Sequence, residues 1–102
     1  EQVIRPETAQ AVTEMMQGVI TYGTGQSADP GRPAAGKTGT SNENTDAWFI
    51  GYTPELLATI WLGNDDRRPL RIEGRNIGGG TAGEYWGSFI RRALVRNSVK
   101  YF

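Results

Sequence analysis

Ala47-Trp48-Phe49-Ile50-Gly51-Tyr52 and Leu56-Leu57-Ala58-Thr59-Ile60-Trp61-Leu62, joined by Thr53-Pro54-Glu55, decide the fold. Both runs are rich in β-branched and aromatic residues, and turn-forming residues separate them, so residues 46–62 are predicted to be a hairpin. On the first strand Trp48, Ile50 and Tyr52 point to one face, and Ala47, Phe49 and Gly51 to the other. The second has no polar face apart from Thr59. A hairpin that is apolar on both faces needs cover on both. Helices on either side would supply it, so the expected class is α+β, with helices on both faces of an antiparallel sheet in three layers.

Upstream, Val12, Met15, Met16, Val19 and Ile20 recur at the spacing of one helical face, opposite Gln10, Thr13, Glu14 and Gln17. The pattern predicts a helix over 6–21. Pro6 suits its first turn, Glu7 the positive end of its dipole, and Gly23 and Gly25 its end. Gly18 weakens its middle. Residues 23–33 are polar and glycine-rich and read as a loop, and 34–40 as a strand. Downstream, 63–80 read as a long connection carrying the charge cluster Asp65-Asp66-Arg67-Arg68 and the run Gly78-Gly79-Gly80. Adjacent carboxylates followed by two arginines fit an ion-paired turn better than a metal site. Thr81-Ala82-Gly83-Glu84 has the form of a capping box, and Trp86, Phe89, Ile90, Ala93 and Leu94 follow at helical spacing, predicting a final helix over 82–96. Arg91, Arg92 and Arg96 lie toward its negative end. The chain then holds about three strands and two helices, more apolar surface than they can bury on one another. Neighbours outside these 102 residues are expected.

Eleven Lys and Arg balance eleven Asp and Glu, which disfavours nucleic acid and a polybasic membrane contact. With no cysteine and no histidine, the chain cannot supply a thiolate nucleophile, a Cys/His zinc site or the base of a Ser-His-Asp triad. No apolar run approaches the roughly 18 residues of a membrane span. The length suits one domain at most, and a start at Glu1 without a leader suggests a beginning within a longer chain.

Chemistry is concentrated in Gly36-Lys37-Thr38-Gly39-Thr40, bordered by Ala34, Ala35, Ser41 and Asn42. If extended, Lys37 and Gly39 face one side and Thr38 and Thr40 the other, unless a twist at the glycine brings the hydroxyls round. Small residues let a ligand or another backbone lie against the strand. A cation, two hydroxyls and free N–H groups on one edge make a receptor for a carboxylate or a developing oxyanion. An ordinary edge strand with a solvated lysine has the same composition. Gly31 to Thr38 also satisfies the phosphate-loop pattern G-x-x-x-x-G-K-[ST], but an NTPase needs a buried strand before the loop and a helix opening at Lys37-Thr38, and neither is predicted. A third reading is a non-catalytic module that takes up a peptide by strand addition.

Ala35-Gly36-Lys37-Thr38-Gly39-Thr40, Asp46-Ala47-Trp48-Phe49-Ile50-Gly51-Tyr52-Thr53-Pro54 and Trp61-Leu62-Gly63-Asn64-Asp65-Asp66 together resemble the C-terminal part of the transpeptidase domain of class A penicillin-binding proteins. The resemblance extends upstream through Gly23-Thr24-Gly25 to the helix holding Met15, Met16, Gln17 and Gly18, and downstream to Trp86 and Phe89. It implies that 1–102 form a C-terminal fragment of one transpeptidase domain. Lys37 would lie beside the pocket of a catalytic serine, aiding proton transfer and attracting the carboxylate of a substrate or β-lactam. Thr38 and Thr40 would hold that carboxylate, and Gly39 would leave room for a stem peptide. The Thr40 N–H would be half of the oxyanion hole, worth roughly 3 to 4 kcal/mol in acyl transfer. The implied catalytic residues are Lys37 and Thr40, and the substrate-binding residues Lys37, Thr38, Gly39 and Thr40.

The family's Ser-x-x-Lys and Ser-x-Asn motifs occur nowhere in the sequence: Ser27, Ser41, Ser88 and Ser98 all have the wrong residue three places on. The nucleophile is expected upstream, in an N-terminal remainder of the same domain, and this chain alone is expected to be inactive. The implied activity is peptidoglycan cross-linking at D-Ala-D-Ala stem peptides through an acyl-serine, with β-lactams as inhibitors and no metal or organic cofactor. The implied location is extracytoplasmic, periplasm or cell surface, with membrane attachment only through an N-terminal anchor outside this sequence.

Overall fold

The computed structural model describes residues 1–102. Helix α1 spans Pro6–Thr21, with proline in its first turn and Glu7 beside it. It ends where Gly23 donates its N–H to the carbonyls of Gly18 and Val19, and Gly25 to Val19. Within the loop that follows, Gln26–Ala28 form one 3-10 turn. Strands β1 (Ala35–Thr40), β2 (Asp46–Tyr52) and β3 (Leu57–Gly63) make an antiparallel sheet in the order β1-β2-β3. The β2–β3 turn is fixed by Thr53, whose N–H donates to the Leu56 carbonyl while its hydroxyl accepts from the N–H groups of Glu55 and Leu56. That side chain does locally what a further backbone pair would do.

Register sorts the side chains onto two faces. Lys37 lies opposite Ile50, Gly39 opposite Trp48, and Trp48 opposite Trp61; Thr38 lies opposite Phe49, Thr40 opposite Ala47, and Phe49 opposite Ile60. Facing residues of a ladder project to the same side, so lysine and tryptophans share one face and the two threonines share the other with Phe49. Helix α2 (Gly79–Ala93) packs beneath the Phe49 face. Phe49, Trp86 and Ile90 are fully buried there; the Phe49 and Trp86 rings are 5.1 Å apart, and Trp86 Nε1 donates to the Ala58 carbonyl at 3.1 Å. Burying those large side chains together is the main apolar stabilisation of the chain. Helix α1 packs along β1 and reaches the opposite face, where its Thr13 hydroxyl pairs with that of Tyr52 at 2.7 Å. The result is the expected α+β class, two helices packed against an antiparallel sheet, with the Trp48, Ile50 and Trp61 side of the sheet left largely uncovered.

Helix α2 departs from its predicted form. It begins at Gly79 rather than Ala82 and ends at Ala93 rather than Arg96; Thr81 makes no cap bond and Glu84 is exposed. Its buried face is Gly79, Ala82, Gly83, Trp86, Gly87 and Ile90, while Phe89 and Ala93 turn outward. The reason is close approach. A Cβ at Gly87 would stand 2.5 Å from the Ala28 carbonyl oxygen, and one at Gly79 would stand 2.7 Å from Thr38 Cβ. Glycines bring the helix backbone into contact with its neighbours, but they leave no apolar signal to read. Helix α1 spans 6–21 as predicted, yet only part of its apolar stripe is covered: Ile20 is buried, Met16 and Val19 are half-buried, and Val12 and Met15 (65% accessible) face solvent. The connection from 63 to 80 also holds a small hairpin, β4 (Arg71–Ile72) and β5 (Arg75–Asn76), turned by Gly74 at φ +79°. No helix is long and apolar enough to cross a membrane.

Candidate functional site

β1 is an edge strand, and its polarity follows from one bond beyond its end. The Ser41 N–H donates to the Asp46 carbonyl at 3.0 Å, so the backbone of Ser41 points into the sheet. Direction alternates along an antiparallel strand. The N–H and C=O groups of Thr38 and Thr40 therefore point away from β2, off the free edge. Lys37 agrees with this: its side chain starts on the Trp48 face, and its ammonium curls round the edge to donate to the Thr38 carbonyl at 3.0 Å, 3.4 Å from the Thr38 hydroxyl. The expected alternation of side chains holds, and the length of the lysine, rather than a twist at Gly39, brings charge and hydroxyl together. Lys37 is exposed, as is Thr40, with Thr38 and Gly39 half-buried.

Both hydroxyls have partners behind the strand. Thr40 Oγ1 accepts the N–H of Gly79, the first residue of α2, at 2.8 Å. That N–H is one of the unpaired donors at a helix start. Because the bond occupies a lone pair, the Thr40 proton is left to be given elsewhere. Thr38 Oγ1 lies 3.0 Å from Thr24 Oγ1 in the turn that ends α1. Neither Gly79 nor Thr24 is marked as a site neighbour by local pattern; only the fold brings them to β1.

The strand exit is held from several directions. The Ser41 hydroxyl accepts the Asp46 N–H at 2.8 Å, the Asn44 side-chain amide donates to the Ile77 carbonyl at 2.9 Å, and the Leu70 N–H donates to the Asn44 carbonyl. Asp46 accepts from Trp61 Nε1 at 2.9 Å, and the Trp61 ring lies 6.3 Å from Trp48 on the open face of the sheet. Trp48, Ile50 and Trp61 are 40–49% accessible, so two of the chain's three tryptophans lie on uncovered sheet surface. In the charge cluster, Asp66 pairs with Arg68 at 2.7 Å, and hydrogen bonding to that guanidinium holds the Asp66 carboxyl below the usual range. The chain's concavities lie elsewhere: one of about 440 Å³ beside Asn64, Arg68 and Arg71, and another of about 320 Å³ between α1 and Phe102. The Lys37–Thr40 edge is open surface, able to form one wall of a cleft. The phosphate-loop reading fails here, since Lys37 and Thr38 lie within a strand and no helix opens at them.

The charged, hydroxyl-bearing edge strand β1 lies within the part of the chain that matches a known family. The sequence model of the penicillin binding protein transpeptidase domain matches residues 1–64. The chain is 41% identical over 88 residues to penicillin-binding protein 1A of Clostridium tetani, covering 82% of this chain and 11% of that protein. It is 40% identical over 101 residues to penicillin-binding protein 1A of Neisseria flavescens, covering 97% and 12%. The crystal structure of penicillin-binding protein 1A from Haemophilus influenzae superposes with a TM-score of 0.76 at 26% identity, over 98% of this chain and 16% of that one. The chain belongs to the penicillin-binding protein transpeptidase family. It spans only about an eighth or a ninth of the length of those curated relatives.

Proposed function

We propose that this chain supplies the carboxylate-gripping and oxyanion strand of a serine D,D-transpeptidase that cross-links peptidoglycan and is acylated by β-lactams. The observation that carries the reading is the free edge of β1, where the Lys37 ammonium meets the carbonyl and hydroxyl of Thr38. An anion there would receive a charge-assisted bond from Lys37 and hydroxyl protons from Thr38 and Thr40. Thr40 is prepared for this by Gly79, whose N–H already fills the accepting side of its hydroxyl. The Thr40 N–H, aimed off the same edge, would donate to the oxyanion that forms when a serine attacks the acyl carbon. Gly39 adds no side chain between these groups, so a D-Ala-D-Ala stem peptide can lie along the strand.

The serine, its partner lysine and the Ser-x-Asn element are assigned to the rest of the domain, and the parent protein to the outside of the cytoplasmic membrane. In this reading the 1–102 segment is one part of a single transpeptidase domain, and Lys37, Thr38, Gly39 and Thr40 are its site residues. Labelling by a fluorescent penicillin tests it. A complete domain containing this segment is expected to be labelled, and Lys37→Ala to lower the labelling rate by roughly 100-fold, as loss of a principal electrostatic donor does. An unlabelled complete domain would favour a peptide-binding module, while a covalent adduct on residues 1–102 alone would overturn the placement of the nucleophile.

A further inference from the structure

Gly23-Thr24-Gly25 ends α1, and both glycines are spent on that turn. Their N–H groups return to the carbonyls of Gly18 and Val19, and buried Gly25 lies so close to the Val19 and Phe49 side chains that a Cβ would stand 3.0 and 3.2 Å from them. The backbone on either side of Thr24 is thereby fixed. The Thr24 side chain has no part in ending the helix. Its hydroxyl instead stands 3.0 Å from that of Thr38, which is also the hydroxyl 3.4 Å from Lys37 Nζ.

We infer that Thr24 is a positioning residue that turns the Thr38 hydroxyl proton toward a bound carboxylate, an inference resting on the reading of the Lys37–Thr40 edge above. A hydroxyl has one proton to give and two lone pairs to fill. When Thr38 gives its proton to a carboxylate, its oxygen can only accept from its other neighbours. Lys37 is always a donor. Thr24 can act either way, so with the anion in place it becomes a donor to Thr38, from a turn whose backbone does not have to move. Each bond in a run of hydroxyls ending on an anion polarises the next. The contribution of Thr24 therefore appears only when the ligand carries a negative carboxylate, a dependence that a purely structural threonine would lack.

The test uses a complete penicillin-binding transpeptidase carrying this segment, with acylation rates measured for benzylpenicillin and for its methyl ester. Thr24→Val keeps the branched shape and removes the donor. It is expected to lower the acid-to-ester rate ratio about five-fold, the worth of one neutral hydrogen bond, and Thr24→Ser to restore it. Should Thr24→Val fail to fold, Thr24→Ala at this exposed position makes the same comparison. Thr38→Val serves as the reference. If Thr38→Val leaves the ratio unchanged, the carboxylate reading of the edge falls, and this inference with it. If Thr38→Val lowers the ratio while the Thr24 variants slow both ligands equally, or slow neither, the inference about Thr24 falls alone.

Discussion

Arg32 and Glu55 face each other 3.7 Å apart, each side chain only 11% accessible, and the guanidinium also donates to the carbonyls of Leu94 and Asn97. One arginine thus ties the approach to β1, the β2–β3 turn and the end of α2. Neither Glu55 oxygen has a hydrogen-bond partner, so the carboxylate depends on this one charge. Arg32→Ala is expected to destabilise a domain containing this segment by about 3 kcal/mol, read as a lower urea midpoint, because it strands a buried anion. Asp66 is the opposite case. Its pKa is lowered by the hydrogen bond and charge of Arg68, but the pair is exposed. A depressed carboxyl pKa favours the folded state at pH values above the unfolded pKa, and the advantage is lost as pH falls through the lower, folded one. An NMR titration should place the Asp66 midpoint below that of an ordinary aspartate at low salt. The gap should close at high ionic strength or in Arg68→Ala, since screening is effective at the surface.

At the scale of elements, α2 is defined by where its backbone can touch. Gly87 lies against the carbonyl of Ala28, with 2.5 Å available to a Cβ, and the obstacle is backbone that cannot rotate away. Gly87→Ala is expected to cost about 2 kcal/mol or more, seen as a lower thermal midpoint, although alanine is the better helix former. Gly79 joins the helix to function. A Cβ there would collide with Thr38 Cβ and stand 2.9 Å from the Gly39 nitrogen, pushing the helix start away from the Thr40 hydroxyl. Gly79→Ala should slow β-lactam acylation of the complete domain more than an exposed control, Gly80→Ala, for which a Cβ meets nothing within 4 Å. Equal effects would mean that the contact between helix and strand is not what sets Thr40. The helix over 6–21 and the hairpin were readable because their periodicity, proline and turn residues act within a few positions. Thr81 and Glu84 imitate a cap, whereas the helix starts at Gly79, where close contact with Thr38 and Gly39 demands a glycine and leaves no local pattern.

Across the whole molecule, apolar surface stays open on two sides: Trp48, Ile50 and Trp61 on the sheet, and Val12 and Met15 on α1. Residues 1–102 by themselves are expected to bind a hydrophobic dye and to associate at rising concentration, measurable by ANS fluorescence and sedimentation, because contiguous exposed patches of this kind favour contact. A monomeric chain that leaves the dye dark would show those surfaces to be self-sufficient. The hairpin, the two helices, the Lys37–Thr40 strand and the family resemblance are legible from residue order alone, since each is carried by patterns that neighbouring residues enforce on one another. Packing in three dimensions sets which strand edge stays free, that Lys37 reaches round it to Thr38, that Gly79 and Thr24 stand behind the two threonine hydroxyls, and which parts of the helical stripes are buried. Those facts depend on strand register and on backbone contacts at glycine between residues far apart in the chain, such as Gly87 and Ala28. A glycine's value there lies in the side chain it lacks, which no reading of apolar periodicity detects.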